Sequence, residues 1–154
     1  MNHQAITGIM LQNRKAVKKI LDIHSIEQIN QIPSGFNNNI IWQAGHILTV
    51  QQMLSYGLAG QPFTIPDEIV RKFAPGTRPE KFYDEEFKNL IQTLFIESYH
   101  QLVSDIDAGI FDQINPFMTA LRYEITDIEG ALCFNLYHEA MHMGHILNLR
   151  RAVG

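Results

Sequence analysis

The sequence predicts an all-α fold: a four-helix bundle with a long connection between helices 2 and 3. Three observations predict it. Four long segments carry apolar residues at helical spacing, no stretch reads clearly as a strand, and one proline-rich connection parts the segments two and two. The 154 residues suffice for one hydrophobic core and are short for two, so a single domain over 1–154 is expected.

The first helix is predicted over Gln4–Glu27. Ile6, Met10, Val17, Leu21 and His24 share one face, with Arg14, Lys15, Lys18 and Lys19 largely elsewhere. QIPSGFNNN then reads as a loop. The second helix starts near Asn38 or Asn39, both good N-cap types, and runs to about Gly57. The connection 60–83 holds four prolines between Pro62 and Pro79, with one short helix expected over Asp67–Lys72. It is placed over the fold, where it would shape the mouth of any pocket.

The third helix opens at Asp84, with Glu85 and Glu86 favouring the dipole of its first turn. Its stripe is Phe87, Leu90, Ile91, Leu94, Leu102 and Ile106. Phe117–Ile125 is ambiguous and compatible with extended chain. The fourth helix begins at Thr126 and Glu129, which have capping-box spacing, and ends near Ala152. It is apolar nearly all round, which predicts burial on several sides by neighbours or by a partner subunit.

Composition excludes several classes. With 45% hydrophobic and 18% charged residues the chain is globular, and a net charge of −4 without any basic run argues against nucleic acid. One cysteine, Cys133, precludes an internal disulfide and suggests a reducing compartment. The opening MNHQAITGIM does not read as a secretory signal, and no apolar run is long enough for a membrane span. A soluble cytoplasmic protein is expected.

Three of the seven histidines fall in the last seventeen residues. At about 100° per residue, His142 lies about 40° from His138, and His145 about 20° away on the other side. The His138/His142 pair has i, i+4 spacing, which lets two imidazoles grip one metal. A third ligand from another element is expected, and His46 is the best candidate. It shares a face of the second helix with Asn39, Trp42, Val50 and Met53, apolar enough to point inward. Three protein ligands with an open position is the catalytic arrangement. His145 is left as an outer support, an alternative ligand or a pocket-lining donor. His3, His24 and His100 read as ordinary core or rim residues.

The segment HEAMH also fits the zinc-protease pattern H-E-x-x-H. The extended form H-E-x-x-H-x-x-G-x-x-H fails, because His145 occupies the glycine position and Asn148 the final histidine position. No Asp or Glu follows His142, so a protease is not expected. Glu139 lies about 100° round the helix from His138 and about 60° from His142, so it either approaches the metal or faces the outer edge. Glu139 and His145 are the candidate proton carriers.

WQAGHIL around His46, FAPGTRP at Phe73–Pro79 and HEAMHMGHILNLRR at the C-terminus resemble the DinB-like (DinB/YfiT-type) superfamily of metal-binding four-helix bundles. The resemblance covers Asn39 to Arg151. It implies that His46, His138 and His142 bind a divalent metal, most often zinc or nickel. His145 stands where many relatives have Gln. The resemblance further implies a small-molecule substrate, a low-molecular-weight thiol of the bacillithiol or glutathione type, and a homodimer. Three neutral imidazoles leave a metal its full charge, which acidifies a thiol or a water. The expected activity is thus a thiol S-transferase or related hydrolase. The rival is a non-catalytic, metal-stabilised bundle acting as a binding or dimeric scaffold. Trp42 and Cys133 are read as packing residues, the latter buried. Tyr137 and Asn135 flank the site face.

Overall fold

The structure is a computed structural model that describes residues 3–154. Met1 and Asn2, included in the expected single domain, lie outside the described residues. The chain is all-α apart from one two-stranded ribbon. Its four long helices are α1 (His3–Ile23), α3 (Ile40–Gln52), α5 (Glu85–Asp107) and α6 (Ile128–Ala152), and two short helices are α2 (Ile26–Asn30) and α4 (Asp67–Lys72). α1 packs on α6 and α5, and α3 packs on α6, α5 and α4.

The first predicted helix is two helices. Ser25 accepts a hydrogen bond from the Gln28 amide, and the Gln28 side chain accepts one from the Ser25 amide. This reciprocal capping box restarts the chain as α2. The second predicted helix begins after Asn39, whose side chain accepts from the Trp42 amide at 3.0 Å. Its last turn, Met53–Gly57, widens into a π-helix. The third begins after Asp84, which caps the Phe87 amide at 2.9 Å. Leu90 of its predicted stripe is exposed rather than buried. The fourth is capped by Asp127, not Thr126: the Asp127 carboxylate accepts from the Gly130 amide at 2.7 Å. A carboxylate is the stronger acceptor and favours the positive end of the helix dipole.

The all-round buried helix is α3 rather than α6. All thirteen residues of α3 are buried, and its three glutamines find side-chain partners in Asn38, Ser55 and Thr64. In contrast, α6 exposes Tyr137, Met141 and Leu147, and Cys133 is also exposed, not buried. α3 is covered because α4 and the chain after it fold back across it. Phe73 docks there on Gly45, where an added Cβ would lie 2.5 Å from the ring.

The ambiguous segment forms β1 (Phe117–Met118) and β2 (Glu124–Ile125), paired antiparallel with Phe117 opposite Ile125 and Met118 opposite Glu124. Arg122 closes the turn in the left-handed region, at φ 60°.

Arg14 corrects the first-helix reading. It lies about 40° from Met10 round α1, on the inward face, and is fully buried. Its guanidinium donates to Glu139 on α6 at 3.0 Å, and to Ser98 and the Phe95 carbonyl on α5 at 3.0 and 3.2 Å. Both partners of the ion pair have no exposed side-chain surface. Arg14→Met should therefore cost about 3–5 kcal/mol by stranding the Glu139 charge. The double variant Arg14→Met/Glu139→Leu should recover most of that loss in urea denaturation.

Candidate metal centre

α3 and α6 bring three of the predicted side chains together. His46 is 6% exposed, His142 is 8% exposed and His138 is half-buried. The ring centroids are 5.1 Å apart for His46 and His138, 4.7 Å for His46 and His142, and 4.2 Å for His138 and His142. One nitrogen from each ring lies within 4.8 Å of the others, so the three could hold one metal ion. Among the described residues no other group of His, Cys, Asp or Glu does so.

Two of the rings are aimed by their second nitrogens. His46 Nδ1 donates to the Phe73 carbonyl at 2.7 Å, which leaves Nε2 as the free lone pair. His142 Nδ1 donates to Gln43 Oε1, while the Gln43 amide donates to Asn38 at 2.7 Å. Such outer hydrogen bonds fix the tautomer and raise ligand basicity. His46 also stacks on Trp42, with centroids 4.7 Å apart and planes 13° from parallel. Trp42 is anchored in turn by its Nε1, which donates to Thr77 Oγ1 at 3.2 Å. The buried Nδ1 of His138 has no hydrogen-bond partner. The protein alone leaves that nitrogen unsatisfied, and the donor set of three nitrogens suits a divalent transition metal.

Burial pushes all three imidazoles toward the neutral form that binds metal. Desolvation lowers His46, opposed by its bond to Phe73. Desolvation and the neighbouring His46 lower His138 to about 4. Desolvation, then His138, His46 and His145, lower His142 to about 3.

The other predicted residues lie elsewhere. The Glu139 carboxylate turns away from the imidazoles, accepting from Arg14, from Asn135 at 3.0 Å and from Asn13 at 3.3 Å. With its oxygens thus engaged in a fully buried ion pair, it is poorly placed to shuttle protons. His145 is exposed, its ring 5.7 Å from that of His142 and outside the three-histidine group. Gln43 and the Phe73 carbonyl were not anticipated. The i−3 position of Gln43 relative to His46 is a signal for the first; a backbone carbonyl leaves none.

The cluster floors a pocket of about 510 Å³. One wall is the π-turn region, with Met53, Leu54 and Leu58, and another is α6, with Phe134, Tyr137 and Met141. The roof is Phe117, Thr119, Ala120 and Leu121 of the hairpin. The connection 60–83 contributes only Pro75, so its expected part at the mouth is largely taken by the hairpin.

A helical protein with a three-histidine cluster at the base of a pocket is the class this fold and site define. The chain belongs to the DinB superfamily, whose family profile matches residues 10–146. Its fold is similar to the crystal structure of a conserved protein from Enterococcus faecalis. The two are 16% identical with a TM-score of 0.70, over 99% of this chain and 97% of that one. At that identity the likeness concerns the fold alone. No curated protein matches the chain.

The depressed imidazoles set a direction for stability. Between about pH 6.5 and 4 the unfolded chain holds protons on His138 and His142 that the folded chain lacks, so stability rises with pH across this window. The melting temperature of chelator-treated protein should therefore fall as pH drops from 6.5 to 4. His138→Gln/His142→Gln should flatten that slope. Separately, Gln43→Leu, which frees His142 Nδ1, should weaken Zn²⁺ binding about 10–100-fold in competition with a chromophoric chelator.

Proposed function

We propose that this protein is a divalent-metal-dependent enzyme, a thiol S-transferase or related hydrolase, with His46, His138 and His142 as ligands to zinc or nickel. One observation carries the reading: three imidazoles, two buried and one half-buried, converge in a pocket large enough for a small molecule. The four long helices would form the four-helix bundle that frames this centre. When bound, the metal would supply a Lewis acid that lowers the pKa of a thiol or a water.

The chain's own residues prepare the rest. Trp42, Gln43 and the Phe73 carbonyl hold the imidazole orientations before any ligand arrives. The apolar walls lower the local dielectric beside the histidines, which strengthens electrostatic interactions there. His145, at the exposed edge of the same α6 face, is proposed to exchange protons with solvent. Glu139 is proposed as a positioning residue that holds α6 against α1 through Arg14.

Metal analysis tests the centre and turnover tests the chemistry. Protein purified without chelator or histidine tag should contain about one metal ion per chain, and His46→Ala should lose it. A metal content well below one in the wild type would sink the centre. Loaded protein should conjugate a low-molecular-weight thiol to an electrophile, or hydrolyse an ester or amide, and His46→Ala should lose about 10²-fold or more of that rate.

The scaffold reading has one observation in its favour: Ile9 and Ile23 on α1 and Leu147 on α6 are exposed apolar side chains beside a shared groove. It predicts a homodimer in sedimentation that Ile23→Glu dissociates, metal that raises the melting temperature, and no turnover.

A further inference from the structure

The pocket above the histidines is notable for what its lining excludes. The chain carries 12 basic and 16 acidic residues, yet no Lys, Arg, Asp or Glu lines this pocket among the described residues. Apart from the three histidines, its polar side chains are those of Thr119 and Tyr137. Thr119 Oγ1 already accepts from the Tyr123 amide at 3.1 Å. The remaining lining is aliphatic, methionine, proline and phenylalanine.

Such a wall discriminates by charge. A carboxylate carried into it sheds its hydration and meets no guanidinium or ammonium, and that loss is not returned. An apolar group gains on entry for every square ångström removed from water. Only at the floor, where three neutral imidazoles would leave a bound cation its full charge, is a single anionic or electron-pair donor favoured.

From this juxtaposition we infer that the pocket's ligand is a mainly apolar molecule, uncharged apart from one metal-seeking head group. Thiols bearing several carboxylates are disfavoured inside it. The inference rests on the metal-centre reading for the head group and on the pocket lining for the tail. If a polar thiol is the cosubstrate, its charged portion must stay outside the hairpin roof, and the acceptor that fills the pocket is the apolar partner.

The full chain loaded with Co²⁺ tests this. Two thiols are compared by the sulfur-to-cobalt charge-transfer absorption: 2-phenylethanethiol, neutral beyond its head group, and mercaptosuccinate, which carries two carboxylates. The expected result is that 2-phenylethanethiol binds at least about tenfold more tightly. Equal or tighter binding of mercaptosuccinate overturns the inference while leaving the metal centre standing. Failure of Co²⁺ to bind overturns the metal centre and the head-group part of the inference.

The pocket is then judged separately on metal-free protein with Nile red, a neutral apolar dye. Saturable binding displaced by 2-phenylethanol and not by succinate supports the tail assignment, and any other pattern overturns it. Met141→Arg supplies the missing cation at a half-exposed wall position that tolerates charge. It should narrow the preference between the two thiols by about fivefold or more, with an unchanged far-ultraviolet circular dichroism spectrum. An unchanged preference in the folded variant counts against charge exclusion as the cause.

Discussion

A buried charge pair sets the terms for the rest of the molecule. Arg14 and Glu139 have no exposed side-chain surface, and two ions out of water are tolerable only when every donor and acceptor is met. Here α1 supplies the guanidinium, α5 supplies Ser98 and the Phe95 carbonyl, and α6 supplies the carboxylate and Asn135. The register of these three helices cannot slip by a turn without stranding a charge. Apolar packing alone would resist such a slip far less, since exchanging one aliphatic side chain for another of similar volume costs little.

This pair also lies between two apolar halves of the core. On one side are Val17, Ile20, Leu21, Phe95, Ile146 and Leu149; on the other, Met10, Leu54, Leu102 and Leu132. The polar layer between them continues from Arg14 and Glu139 round α6 to His138 and His142, and across to His46 and Gln43 on α3. Glu139 and the two histidines are neighbours on one helix yet meet different partners, the carboxylate Arg14 on α1 and the imidazoles His46 on α3. Fixing the first orientation fixes the second, because a helix rotates as a unit. The candidate metal centre is therefore held by an interaction in which no ligand takes part.

Much of the site was legible in one dimension. His138 and His142 follow from i, i+4 spacing, and His46 follows from its place on the inward face with Trp42. The carboxylate of the H-E-x-x-H pattern was harder to read: its angle round α6 allowed either the metal or the outer edge, and it does neither. An unrecognised partner, Arg14, lay about 125 residues away, on a helix whose cations were placed largely off the apolar face. Charge made the outward assignment natural, and the about 40° offset from Met10 argued the other way. Gln43 and Phe73 escaped notice for a related reason, since their roles are hydrogen bonds between segments far apart in the chain.

The sequence by itself determined the all-α class, the four long helices to within a few residues, the short helix at Asp67–Lys72 and the histidines that converge. These rest on local physics: periodicity, caps at Asn39 and Asp84, and proline. Only the tertiary structure decided which helix is buried on all sides, what Glu139 pairs with, and that the hairpin 117–125 roofs the pocket. Burial depends on what the rest of the chain lays over a surface. Both helices carry apolar residues round their circumference, α3 without a charged residue and α6 with four, and α4 with Phe73 on Gly45 covers only α3.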